Sequence, residues 1–473
     1  MTHTIPLIAA VVLTASVFAG VTNITDNTYD SSLRSAVVAA SDGSVLLVET
    51  GVYVETSIPI DGKAVSVRGG YAPGFSSMVG DPYETIVGTN VDGYVFNVSN
   101  GGSADISTLV MKGGHSYFSM PFFYSGGGLY VGAECIAVIS NCVVRENRNY
   151  NIIFGNGGGI YAAPTSSVTV LTSSIEGNSA SFYGGGVYAR EAASVTMDNT
   201  AVIGNYAPYG GGVAAGGGTV SVSDGSIFAF NIARDGGGAV FLMDDAHFTV
   251  RGMSNYVGVS IGGNAVTNAN GNGGGIYARD STVVLSGATT RVGTGFATQH
   301  GGGVFLSNSL MTLTAGASVG DPSSLNFTTN NGGGIYMIFS ELRIEEGSSV
   351  YRCEAGEYGG GVYGYQSVVE LEDAVIGHET PDDGNVSQKA GGGMYLVYST
   401  LLCHGTRVLN NTASSPWHGG GIGVEGTTDV YISTSEISGN TAAVGGGIDF
   451  LRTVGAILVE STAITNNHAA VMG

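Results

Sequence analysis

The chain has 473 residues, with 79 Gly, 10 Pro, 24 Tyr and 17 Phe, and its acids outnumber Lys plus Arg by 37 to 16, leaving a net charge of −21. This is too aromatic and apolar for a Gly-rich disordered linker, and it lacks the strict triplet of collagen. Nucleic acid is excluded as an expected partner, because no basic stripe exists to displace counterions from phosphate.

In chain order, an apolar stretch from Ile5 to Phe18 ends in Val17-Phe18-Ala19, a small-residue pattern suited to signal peptidase. Residues 1–19 are therefore read as a signal peptide, which places the protein outside the cell or on its surface. The stretch is too short to span a bilayer comfortably, and no later segment reads as transmembrane. Residues 20–115 read as an N-terminal cap with the first coils. Within them Ser32 to Ala40 is expected to be helical, and Tyr94 to Gly114 reads as an early coil.

Residues 116–473 repeat. Glycine triplets begin at 126, 157, 184, 210, 236, 273, 301, 332, 359, 391, 419 and 445, so a unit is about 27 residues. The third residue after each first glycine is aliphatic, with Ala239 the small exception. The fourth is aromatic in eight of twelve repeats: Tyr130, Tyr161, Tyr188, Tyr277, Phe305, Tyr336, Tyr363 and Tyr395. A period of two puts these positions on opposite faces, so the aliphatic column is expected inside and the aromatic column outside. A second alternating stretch follows, as in "SSVTVLTS" from Ser166. A third ends in Asn with the form [IVF]xxN, from Val144–Asn147 through Ile175–Asn178, Val202–Asn205, Phe228–Asn231, Phe327–Asn330, Val408–Asn411 and Ile437–Asn440 to Ile464–Asn467. Asn tolerates left-handed corners, and its amide can donate to one coil while accepting from another, so a ladder is expected there.

Three short strands and three corners per repeat define an all-β fold, a single-stranded right-handed parallel β-helix. Triple Gly and β-branched runs exclude a helical solenoid. No coil of this length buries enough surface alone, so each depends on its neighbours. "ITNNHAAVMG" aligns with "ISGNTAAVGGG", so Gly473 falls where the next glycine corner is due and the sequence is expected to stop mid-repeat. Cys135, Cys142, Cys353 and Cys403 read as core thiols, with local pairing of Cys135 and Cys142 open as an alternative.

The phrase "FAFNIARDGGGAV" pairs FxxN at Phe228–Asn231 with GGA[ILV] at Gly237–Val240. It resembles the repeats of chlamydial polymorphic outer membrane proteins, and "FTTN" at Phe327 matches half of that motif. More loosely, almost everything after the signal is similar to the pectate-lyase-like superfamily. The resemblance implies a secreted or surface-displayed passenger, associated with an outer membrane and acting in adhesion. Such passengers end in a β-barrel translocator, and none is read before Gly473.

Two groups of residues are candidates for chemistry. Aligned by glycine triplet, Glu345 falls level with Glu372, Glu346 with Asp373, and His404 with Glu345 and Glu372. Carboxylates stacked at strand spacing repel unless solvated, protonated or bridged by a cation, so an acid pair or a calcium site is conceivable beside the simpler reading of solvated surface acids. No other cofactor is expected, and the polygalacturonase pattern of NTD, DD and RIK segments is not assembled. The tyrosine column, Tyr130, Tyr161, Tyr188, Tyr277, Tyr336, Tyr363 and Tyr395, suits carbohydrate or a host or neighbouring cell-surface protein, and equally suits cross-coil packing. The expected function is adhesion, binding or structure. The alternative is a polysaccharide lyase or glycoside hydrolase on the same scaffold.

Overall fold

A computed structural model describes residues 19–116, 126–150, 155–223, 225–252, 260–414, 418–426 and 429–472. The expected signal segment lies outside the described residues, apart from Ala19. The chain is all-β, with 54% strand and 4% helix, wound as a parallel β-solenoid of about 12 turns of roughly 29 residues.

Each coil contributes to three sheets. The strand after the glycine corner joins a 14-stranded first sheet, and the next joins a 17-stranded second sheet. The third sheet differs from the expected single strand. In one coil it receives both Ser174–Glu176 and Ser179–Ala180, so a coil holds four strand segments. The break falls at Asn178, whose side chain turns inward to serve the corner.

Register is regular. On the first sheet Leu129 stands opposite Ile160, Ile160 opposite Val187, and Val187 opposite Val213. The aliphatic column is fully buried from Leu129 to Ile422. Burying one such side chain stabilises the fold by about 1.5–3 kcal/mol, and only the neighbouring coils make the burial complete.

Pairing corrects one frame. Val213 pairs with Val240 and Ala214 with Phe241, so the structural corner is Gly237-Gly238-Ala239. Ala239 is thus a corner residue, Val240 is the aliphatic rung, and Phe241 joins the aromatic column. The left-handed backbone needed at this corner appears at Gly237, with φ 65°, as it does at Gly184, with φ 63°. The next glycine meets a second demand, because a Cβ on Gly185 would lie 2.5 Å from the Gly211 carbonyl oxygen of the following coil.

The asparagine ladder is present. Asn178 Nδ2 donates to Asn205 Oδ1 at 3.0 Å and to the Val144 carbonyl at 2.9 Å, so one amide ties together three coils. Its own Oδ1 accepts from Asn147 N at 3.0 Å. The same pattern runs from Asn147 to Asn264 and from Asn385 to Asn467. Two details differ from the sequence reading. The left-handed residue is the one before the ladder Asn, such as Gly177, Gly204 or Phe230. In the Phe327 coil the rung is Asn326, fully buried with its Nδ2 on the Val292 carbonyl, and not Asn330. An insertion before Asn326 shifts the phase. Gly295 and Cys353 replace Asn in two coils, each donating its backbone N–H to the next Asn.

At the N-terminal end the short helix Leu33–Ala39 has Ser32 as its N-cap, the side chain accepting from Ser35 N. Lys63 Nζ donates to the Val37, Val38 and Ala40 carbonyls at its other end. Leu33, Ala36 and Val37 are buried, so the helix lies over the core beside Ile58–Asp61. All four cysteines are buried free thiols, and the alternative Cys135–Cys142 pairing is not formed. Among the described residues no helix is long and apolar enough to cross a membrane, which says nothing about a β-barrel.

Candidate functional site

The outer face of the second sheet carries the acidic candidates. Ile344 pairs with Leu371, which puts Glu345 level with Glu372, and Glu372 pairs directly with His404. Adjacent strands lie about 4.8 Å apart, so the three side chains form one rung-by-rung row. They line a shallow groove of about 430 Å³ together with Glu370, Leu402 and Tyr431. His404 Nδ1 is 3.0 Å from Ser433 Oγ, and the Arg343 guanidinium pairs with Glu370 at 3.2 Å and also with Glu341.

Glu372 and His404 are exposed to solvent and Glu345 is half-buried. Exposed carboxylates at strand spacing are screened by water, so the row has no dry environment to sharpen its electrostatics. Glu346 turns elsewhere, accepting from Thr314 Oγ1 at 2.8 Å. Among the described residues, no three His, Cys, Asp or Glu side chains converge to hold a metal ion.

The tyrosine column stands on the outer face of the first sheet. Rings of successive coils stack at strand spacing: Tyr130 on Tyr161 at 5.5 Å and 4°, Phe305 on Tyr336 at 5.1 Å and 6°, Tyr336 on Tyr363 at 5.1 Å and 6°. Tyr277 stacks on Phe305 at 4.7 Å, and Tyr363 on Tyr395 at 6.2 Å. These contacts lie in clusters separate from the coil interior, so the column does face outward.

It is only partly open, with Tyr130, Tyr277, Tyr336 and Tyr363 half-buried. Tyr161 is 0% exposed, and Tyr188 and Tyr395 are each 5% exposed. Residues of the corner before the glycines fold over the column: Tyr358 stacks on Tyr395 at 4.9 Å, and His300 on Tyr336 at 4.3 Å. Desolvation raises the phenol pKa values of Tyr161, Tyr188, Tyr277, Tyr336, Tyr363 and Tyr395. At Tyr395 the adjacent Glu425 carboxylate, accepting from its hydroxyl at 2.5 Å, adds to that.

The column breaks once among these coils. Tyr188 pairs with Ala214, and Ala214 with Phe241, so one rung lacks an aromatic side chain. Two residues further along the same strand stands Gly216, followed by Gly217 at the corner. A glycine triplet at 216–218, out of phase with the other twelve and six residues after Gly210, is the sequence signal for this place. The periodic reading passes over it, because it does not fit the repeat.

A scan against protein-family models returns no match, and a search of curated proteins returns none. The fold and its lateral faces therefore define the class: a parallel β-solenoid with an aromatic ladder on one face and an acidic groove on another.

Proposed function

We propose that this is an exported, non-enzymatic β-solenoid that acts as an adhesion or binding rod at or outside the cell surface. The observation that supports it most is regularity: from Leu129–Val131 to Ile448–Leu451 the first-sheet strands pair coil after coil without a register shift. Such a rod presents a long, repetitive lateral surface, the geometry of extended binding scaffolds. The acidic row suits that reading as solvated surface charge, the simplest state of exposed acids on an acidic rod. The signal-like segment supports export. The FxxN and GGA[ILV] phrase supports kinship with chlamydial polymorphic outer membrane protein repeats and, more broadly, with right-handed pectate-lyase-like helices.

Beads coated with the full chain should bind cell surfaces saturably, and a Glu345→Gln, Glu372→Gln double variant should bind as well as the parent. Binding no greater than that of albumin-coated beads overturns the reading. The alignment of Glu345, Glu372 and His404 in one groove favours a second reading, cleavage of a polysaccharide. Turnover of pectin or alginate with calcium present, lost in either Gln variant, would support it. No turnover by the parent removes it.

A further inference from the structure

The gap in the aromatic column opens a slot on the outer face of the first sheet, well away from the acidic groove. Ala214 has no ring to contribute, Gly216 and Gly217 form the floor, and Tyr183, Tyr188, Arg190 and Asp244 stand around it, enclosing about 320 Å³. Tyr183 comes in from the preceding corner and takes the place of the missing ring, stacked 5.7 Å from Tyr188 and 5.8 Å from Phe241. The ladder is thus continued at the level of Ala214, while two residues further along the strand Gly216 has over it only the movable ends of Tyr188 and Met243, and Gly217 beside it is partly open.

Glycine within a strand weakens it and marks places where another group approaches the backbone closely. Neighbouring coils put Arg190 and Met243 at the position of Gly216, so this coil alone of the three has no side chain there. The Tyr188 hydroxyl leans over Gly216, where a Cβ would come within 2.8 Å of it. On one side of the slot Arg190 Nη2 pairs with Glu191 Oε1 at 3.1 Å, and on the other Asp244 Oδ1 faces Arg279 Nη2 at 3.9 Å. The rim therefore carries both signs of charge, the Arg190 guanidinium and the Glu191 and Asp244 carboxylates, on planar groups that can engage adjacent hydroxyls two at a time.

We propose that this slot binds one ring of an uncharged hexopyranose-bearing glycan. At Gly217, and at Gly216 once the movable ends of Tyr188 and Met243 swing aside, a ring edge comes close to the backbone, tyrosine edges supply apolar contact with a polar handle, and the Arg190 guanidinium with the Glu191 and Asp244 carboxylates matches vicinal hydroxyls. The net charge of −21 disfavours sulfated or uronic-acid chains, which the whole rod repels. This rests on the binding-rod reading above and gives it a ligand class and a location.

The test uses the full chain on an array of immobilised neutral, sulfated and uronic-acid oligosaccharides, with free hexoses as competitors. Gly216→Leu fills the slot against the movable ends of Tyr188 and Met243, and Asp244→Asn removes one rim charge. Ser307→Leu, at the corresponding position three coils on, is the control. Binding to a neutral glycan that falls roughly tenfold or more in Gly216→Leu, falls in Asp244→Asn, and persists in Ser307→Leu supports the slot. All variants should retain the parent β-sheet circular dichroism. Equal binding by parent and Gly216→Leu overturns the slot while leaving the rod reading intact. Binding only to acidic glycans, or to none, overturns the ligand class, and the bead assay then decides the rod reading separately.

Discussion

Asn178 and Asn205 are joined by a 3.0 Å amide-to-amide hydrogen bond inside the rod, and each also accepts from a backbone N–H of the preceding coil. Asn205 is 0% exposed and donates to the Ile175 carbonyl as well. Asn205→Ala therefore leaves the Asn178 N–H buried without its acceptor and takes one donor from the Ile175 carbonyl, at a cost of about 2–4 kcal/mol. Urea unfolding should register it as a lower midpoint. Asn268→Ala, which removes only an exposed side-chain bond to Asp235, should stay within about 0.5 kcal/mol of the parent.

Tyr161 is fully buried between Tyr130 and Tyr188, with ring centroids 5.5 and 5.7 Å away. Tyr161→Ala should destabilise by about 3–5 kcal/mol and reduce the near-ultraviolet circular dichroism of the stacked rings. Tyr336→Phe keeps its ring between Phe305 and Tyr363 and should cost less than about 1 kcal/mol. Equal losses in the two variants would mean that the hydroxyls, not the stacked rings, carry the stability.

His300 lies against Tyr336, and its Nδ1 is buried without a hydrogen-bond partner. Burial pushes its pKa down to about 4, partly opposed by the Glu357 carboxylate. The folded state thus prefers the neutral ring, while the unfolded chain takes up a proton near its ordinary 6.5. The contribution is fully present above about pH 6.5 and is lost as pH falls toward 4, with a magnitude of order 2 kcal/mol for a part-exposed ring. Melting temperatures across that window should fall less in His300→Gln than in the parent.

The Cys142 and Cys353 thiols are buried, and desolvation pushes each up to about 12. Thiolates are the reactive form, so a thiol reagent at pH 8 should leave both unmodified in the native protein. In denaturant all four cysteines should react. Rapid native labelling would contradict the packing around these sulfurs.

Much of the rod was legible in the chain because its structure is local and repeated. Glycine spacing, the Leu129-to-Ile422 aliphatic column and the outward sense of the aromatic column follow from period two and from a repeat that must stack on itself. The level placement of Glu345, Glu372 and His404 followed from counting along the same repeat. At Gly236–Gly238 the glycines offer two possible corners along the chain, and only the pairing of Val240 with Val213 selects the later one. The motif spacing points to Asn330, but an insertion alters the phase and puts Asn326 on the rung, a phase recovered only from cross-coil hydrogen bonds.

By itself the sequence determined the repeat and which residues turn inward, because alternation and corner chemistry act within a few neighbouring residues. The tertiary structure alone decided that Tyr183, Tyr358 and His300 lie against Tyr188, Tyr395 and Tyr336 of the column, and that a slot remains beside Gly217. Those outcomes depend on how side chains from separate corners and coils compete for one patch of surface. That competition is settled by packing distances, which no spacing along the chain records.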